Sequence, residues 1–182
     1  TNQNDILHRA ISNGGYEVEN VFETLSPSMD IQVASNFERL LYDLNKGDDL
    51  QTIDAMKNIK EKGKYIINQK KLDKINSDFL SSRMSEEEVL KIINEVYKKF
   101  NIILDPHSAI GYGAFDKINL DGNNIVLATA HPCKFPDVIK KAIDIKSDLP
   151  KELMFVMGEK ENYDIIDNDV EKIKQHIKEK IL

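Results

Sequence analysis

"NIILDPHSAIGYGAFDKINLDGNNIVLATAHPCKFPD", Asn101 to Asp137, is the stretch on which the fold turns. It carries two short apolar runs rich in β-branched residues, "NIILD" and "NNIVLATA", the pattern of strands buried on both faces. Between them "PHSAIGYGAFDKI" reads as a helix opened by Pro106 and followed by the turn "LDGNN". Strand, helix and strand at this spacing predict a βαβ unit with parallel strands. Ligands of open parallel sheets bind beyond the carboxyl ends of the strands. Asp105, His107 and Ser108 follow the first run, and Thr129, Ala130 and His131 follow the second. Neighbouring strands would deliver both groups to one rim. A helix expected from Pro136, "PDVIKKAID", adds free backbone N–H groups nearby.

Outside this stretch, helix signals dominate. "SNFERLLYDLNKG" offers Ser35 and Glu38 as a capping box, Phe37, Leu40, Leu41 and Leu44 as one stripe, and Gly47 as a stop. A second helix is expected from Asp48 to Lys62, ended by Gly63. "SEEEVLKIINEVYKKF" repeats the box with Ser85 and Glu88 and stripes Val89, Ile92, Ile93, Val96 and Phe100. The lysine-rich tail aligns Val170, Ile173, Ile177 and Ile181 on one face. The expected class is α/β, a partial open parallel sheet with covering helices. Two parallel strands leave two open edges, so further strands are expected upstream of Thr1. The start at Thr1, without methionine, also reads as that of a fragment. No repeat or linker divides the chain, and residues 1–182 are expected to be one portion of a larger domain.

The chain has 182 residues, 41% hydrophobic and 31% charged, with a net charge of −6. That balance argues against general affinity for nucleic acid or anionic membranes, which need clustered Lys and Arg. No apolar run approaches the roughly 20 residues of a membrane span, and the N-terminus carries no secretory signal. A lone cysteine, Cys133, excludes an internal disulfide and fits a reducing cytoplasm.

"TLSPSMDIQVASNFERLLYDL" (Thr24–Leu44), "DPHSAIGYGA" (Asp105–Ala114) and "ATAHPCKFPD" (Ala128–Asp137) occur in that order after "TNQNDIL". Together they resemble the C-terminal part of threonine synthases of the bacterial and fungal type. The likeness runs through nearly the whole chain and is most specific in "TLSPSMDI" and "ATAHPCKF". It implies the fold type II architecture shared with the tryptophan synthase β-subunit, and pyridoxal phosphate as cofactor. It implies γ-elimination and replacement, turning O-phosphohomoserine and water into threonine and phosphate. The cofactor-bearing lysine and the phosphate-cradling loop are expected upstream of Thr1, so no catalytic residue is expected in this segment. The N-terminal half of the same enzyme is then the expected partner, and the complete enzyme is expected to be a monomer. A threonine synthase-like phospho-lyase is the rival within this chemistry. A helical interaction module without cofactor is the rival outside it.

By this resemblance Thr129, with Ala130 and His131, would contact the cofactor. The Thr129 hydroxyl would lie against the pyridine nitrogen; alternatively it satisfies nearby backbone. Asn4 and Asp5 would meet polar atoms of substrate or cofactor, or else cap the helix "ILHRAI". Ser108 would line the substrate pocket, or cap its helix together with Asp105. Lys134 would contact an anion, or be a surface charge. "SPSMD" (Ser26–Asp30) would be a loop near the pocket. Cys133 reads as packing. A zinc site from His107, His131 and Cys133 lacks a recognisable ligand spacing, and a Cys133–His131 nucleophilic pair lacks a visible orienting group. The Gly111–Gly113 pair reads as close helix packing.

Overall fold

A capping box opens the best-defined helix of the chain. In the computed structural model, which describes residues 1–181, the Ser85 hydroxyl accepts from the Glu88 N–H at 3.2 Å. The Glu88 carboxylate accepts in return from the Ser85 N–H at 2.7 Å. Two otherwise orphaned donors are satisfied reciprocally. Val89, Ile93 and Val96 are buried on one face of this helix.

Residues 1–148 and 149 onward form two compact units. In chain order the first unit contains α1 (Ile6–Asn13), β1 (Gly15–Glu17), α2 (Ser35–Leu44), α3 (Asp49–Lys62), β2 (Lys64–Ile66), α4 (Gln69–Asp78), α5 (Glu86–Phe100), α6 (Pro106–Ile118) and α7 (Pro136–Ile143). The second unit contains a 3-10 segment, Lys151–Val156, and α8 (Val170–Ile181). Asp164 pairs there with Lys180 at 3.0 Å and with His176 at 3.4 Å. The Lys180 ammonium, chiefly by hydrogen bonding, holds the Asp164 carboxyl below its ordinary pKa. No described helix is long and apolar enough to cross a membrane.

The first unit has two apolar clusters. Ile6, Ala10, Tyr16, Phe37, Leu41, Ile59 and Ile75 belong to the one built on α1 to α4. Met84, Val89, Ile93, Ala109, Ile110 and Ile139 belong to the other, built on α5 to α7. Gly113 is where α6 meets α5 and Met84 most closely. A Cβ there would lie 2.4 Å from Ile92 Cδ1 and 2.9 Å from Met84 Sδ. The close-packing reading of this glycine therefore holds, and with six buried residues from Asp105 to Ile110 it fixes α6 firmly.

Three expectations about the fold need correction. Ser35 does not cap α2. It is the first helical residue, preceded by Ala34 in extended conformation, and no side-chain cap bond forms. The Ala34 N–H instead donates to the Tyr16 hydroxyl at 2.8 Å, and Tyr16 stacks on Phe37 with ring centroids 4.9 Å apart. A tertiary contact sets this helix entry. Next, α4 was not anticipated; it is capped by Asn68 and buries Leu72 and Ile75. Last, the expected parallel pair is not formed. Among the described residues the one sheet is antiparallel, β1 with β2, with Tyr16 opposite Tyr65. Residues 102–105 and 123–129 carry no strand pairing. Two strands alone are too few to hold a parallel sheet, and Ile125 and Leu127 are 88% and 72% exposed.

Candidate functional site at the α6 rim

Asp105 is the centre of the site. It sits at the N-cap of α6, 1% exposed, where the unpaired N–H groups of a helix start favour a carboxylate. Its Oδ1 accepts from the His107 N–H at 2.9 Å and lies 2.9 Å from His107 Nδ1. Its Oδ2 accepts from the Ser108 N–H at 3.4 Å and, through a short bond, from the Ser108 hydroxyl. A carboxylate only accepts, so His107 Nδ1 carries the hydrogen. His107 Nε2 then has a free lone pair, which accepts from the Ser28 N–H at 3.3 Å. Phe135 packs on the His107 ring with centroids 4.9 Å apart.

Ser108 reaches across to the second rim segment. Its hydroxyl accepts from the Thr129 N–H at 3.0 Å. The expected meeting of Asp105 and Thr129 at one rim is thus realised, through Ser108, although no sheet forms. Thr129 itself is exposed, and its hydroxyl makes no hydrogen bond with the described residues. Ala130 is half-buried. His131 is exposed, with its Nδ1 accepting from the Cys133 N–H at 3.2 Å. Lys134 is exposed and in no ion pair among the described residues. The rim borders a cleft of about 520 Å³ whose wall includes Met29, His107, Ile110 and Thr129. His8 lies on the same cleft, and burial foremost holds its imidazole below the ordinary pKa.

The N-terminal polar stretch is braced inward. Asn4 is buried, its amide donating to Phe22 O at 2.8 Å and Asp30 Oδ1 at 3.0 Å, and accepting from the Phe22 N–H at 2.8 Å. Asn2 donates to Asp30 Oδ1 at 2.7 Å and to the buried Ser26 hydroxyl at 3.0 Å. Asp30 also accepts from the Thr24 hydroxyl at 2.6 Å. This network, in which the Asn4 amide meets Phe22 and Asp30 and caps no helix, locks the Ser26–Asp30 loop beside the rim. Its signal was the cluster of short polar side chains in "TNQND" and "TLSPSMD". Asp5 occupies the N-cap position of α1 without a side-chain cap bond, and pairs with Arg9 at 2.9 Å and Arg83 at 3.5 Å.

The arrangement narrows the chemistry. Asp105, His107 and Ser108 are the residue types of a hydrolytic triad, but the serine bonds the aspartate and the outer histidine nitrogen is taken by Ser28. No base is placed to activate the serine. Among the described residues no group of three or more His, Cys, Asp or Glu could hold a metal. What the rim offers is the Thr129 hydroxyl, without a partner among the described residues, on a residue whose N–H is held by Ser108.

Residues 108–177 match the family model described as threonine synthase, C-terminal. Threonine synthase of Pseudomonas aeruginosa is 36% identical over 180 residues, covering 97% of this chain and 38% of that protein. The solved structure of pyridoxal phosphate-bound threonine synthase from Brucella melitensis is 39% identical with a TM-score of 0.87, covering 98% of this chain and 39% of that one. The yeast threonine synthase crystal structure is 36% identical with a TM-score of 0.82, covering 100% and 41%. The chain therefore spans about two fifths of the length of the relatives it matches, whose fold is α/β. With the likeness running from the N-terminal polar stretch through the whole α6 rim, the chain belongs to the threonine synthase family.

Proposed function

We propose that residues 1–182 form the C-terminal portion of the catalytic domain of a pyridoxal phosphate-dependent threonine synthase. The reaction is conversion of O-phosphohomoserine and water to threonine and phosphate. The N-terminal half of the same enzyme supplies the lysine that carries the cofactor and completes a monomeric, cytoplasmic protein. The observation that carries this reading is the rim itself, where Ser108 holds the Thr129 backbone and leaves the Thr129 hydroxyl free. A free neutral hydroxyl suits a pyridine nitrogen, because unlike a carboxylate it does not force full protonation of the ring. When bound there, the cofactor supplies an electron sink for negative charge on substrate carbons.

Within this reading each rim group has a duty. Ala130 and His131 form the wall beside the ring, and exposed Lys134 receives the substrate's anionic phosphate. The buried Asn4 amide and the Asp5 carboxylate hold the loop and helix that shape the substrate side. Residues 102–104 and 125–128 take places in a parallel sheet whose other strands come from the N-terminal half. Among them Ile102, Leu104, Val126, Leu127 and Ala128 line a groove of about 340 Å³, and the exposure of these segments ends when those strands arrive.

The test compares the complete protein with residues 1–182 alone. The complete protein should release phosphate and threonine in equal amounts from O-phosphohomoserine. The chain alone should do neither and should develop no yellow absorbance with pyridoxal phosphate. Phosphate release without threonine would turn the reading to a phospho-lyase, and stoichiometric yellow colour on the chain alone would contradict an upstream lysine. Cys133→Ala should leave turnover within about twofold, because the half-buried thiol makes no hydrogen bond to a base among the described residues and His131 Nδ1 takes the Cys133 N–H instead. Abolished turnover would restore a chemical role for the thiol.

A further inference from the structure

We propose that Ser108 and Asp105 are positioning residues that set where the Thr129 hydroxyl stands. This rests on the reading that Thr129 faces the cofactor ring. The direction of each hydrogen bond makes the device one-way. Asp105 only accepts, and its Oδ1 is occupied by His107, so Oδ2 draws the single hydrogen of the Ser108 hydroxyl. A serine whose hydrogen is so committed presents a lone pair in a fixed direction, and that lone pair accepts from the Thr129 N–H at 3.0 Å. Ser108 is 2% exposed on the first turn of α6, an element held by buried Ala109, Ile110 and Gly113. The anchor is rigid and the anchored residue is exposed.

The consequence is that Thr129 is held by its backbone and not by its side chain. Were the side chain used as the anchor, the hydroxyl would be spent. Pinning the N–H instead leaves the hydroxyl unpartnered and anchors the backbone from which it projects. His107 extends the same device to the Ser26–Asp30 loop through the Ser28 N–H. One carboxylate therefore keeps two walls of the cleft in register. Ser108 acts on the reaction through Thr129, and its own hydroxyl touches no ligand.

The complete, cofactor-loaded protein provides the test, with Ser108→Ala, Ser108→Thr and Thr129→Val compared. Ser108→Ala should lower kcat about tenfold or more with KM changed less than about twofold, and should shift the cofactor's visible absorbance band. Ser108→Thr, which keeps a hydroxyl, should restore both. Adding Ser108→Ala to Thr129→Val should cost little beyond Thr129→Val alone, since both act through one hydroxyl. If Thr129→Val alters kcat and spectrum while Ser108→Ala alters neither, the positioning role is overturned and the ring contact stands. If both variants are silent, the ring contact falls and this role falls with it. Should Ser108→Ala fail to fold, hydrogen exchange on the unsubstituted protein decides. The Thr129 amide should exchange slowly, and exchange at the rate of an open amide would overturn the proposal.

Discussion

Asp105→Asn is expected to lower the unfolding free energy of the protein by about 3 kcal/mol, although it changes neither size nor shape. Four donors converge on the Asp105 carboxylate: the N–H groups of His107 and Ser108, the His107 ring and the Ser108 hydroxyl. An asparagine offers one accepting oxygen and turns an NH2 group against donors on its other side. At 1% exposure no water enters to repair the mismatch. The His107 ring can flip its tautomer to meet the amide, but then loses its acceptor for the Ser28 N–H. Some donor is orphaned in every arrangement. Urea denaturation of the two proteins checks this, and coincident midpoints would show that the carboxylate is not the hub of the rim.

Thr129→Val in the complete enzyme is expected to reduce kcat by about 10- to 100-fold, the scale of losing one preorganised hydrogen bond at a reacting system. Valine keeps the β-branched shape and the N–H that Ser108 holds, so folding should be intact and the loss confined to the hydroxyl. The cofactor absorbance should move with it, and Thr129→Ser should recover most of the activity. Unchanged kinetics and spectrum in Thr129→Val would remove the ring contact from consideration.

Features of this chain were legible where their causes are local. The box of Ser85 and Glu88 needs three residues and nothing else, and it formed as read. Asp105 at the start of α6 is similar, because Asp before Pro followed by an apolar helix fixes an N-cap by itself. Ser35 was illegible for the opposite reason. Its motif is sound, yet the Ala34 N–H goes to Tyr16, on a ribbon whose partner strand is Lys64–Ile66. Three-residue strands leave no periodicity to find. For the site, Asp105, Ser108 and Thr129 were expected at one rim and do meet there, through the Ser108 hydroxyl and not through paired strands. The way Ser108 and Asn4 face was not legible. Residue type marks a polar group worth having, but only packing tells whether it looks to a ligand or into the fold. The missing sheet follows the same logic: the letters of Asn123–Ala130 encode burial, and burial needs surfaces that residues 1–181 do not supply.

Those bare segments carry a practical cost. Ile102, Ile125 and Leu127, displayed beside backbone with no neighbouring strand, make a template on which a second molecule can lay its own copy of the same segment. Produced by itself at high concentration, residues 1–182 should drift into inclusion bodies or stacked assemblies. Co-production with an N-terminal portion of the kind its relatives carry, or a charged residue in place of Ile125, is the remedy that the chemistry of an unsealed edge suggests.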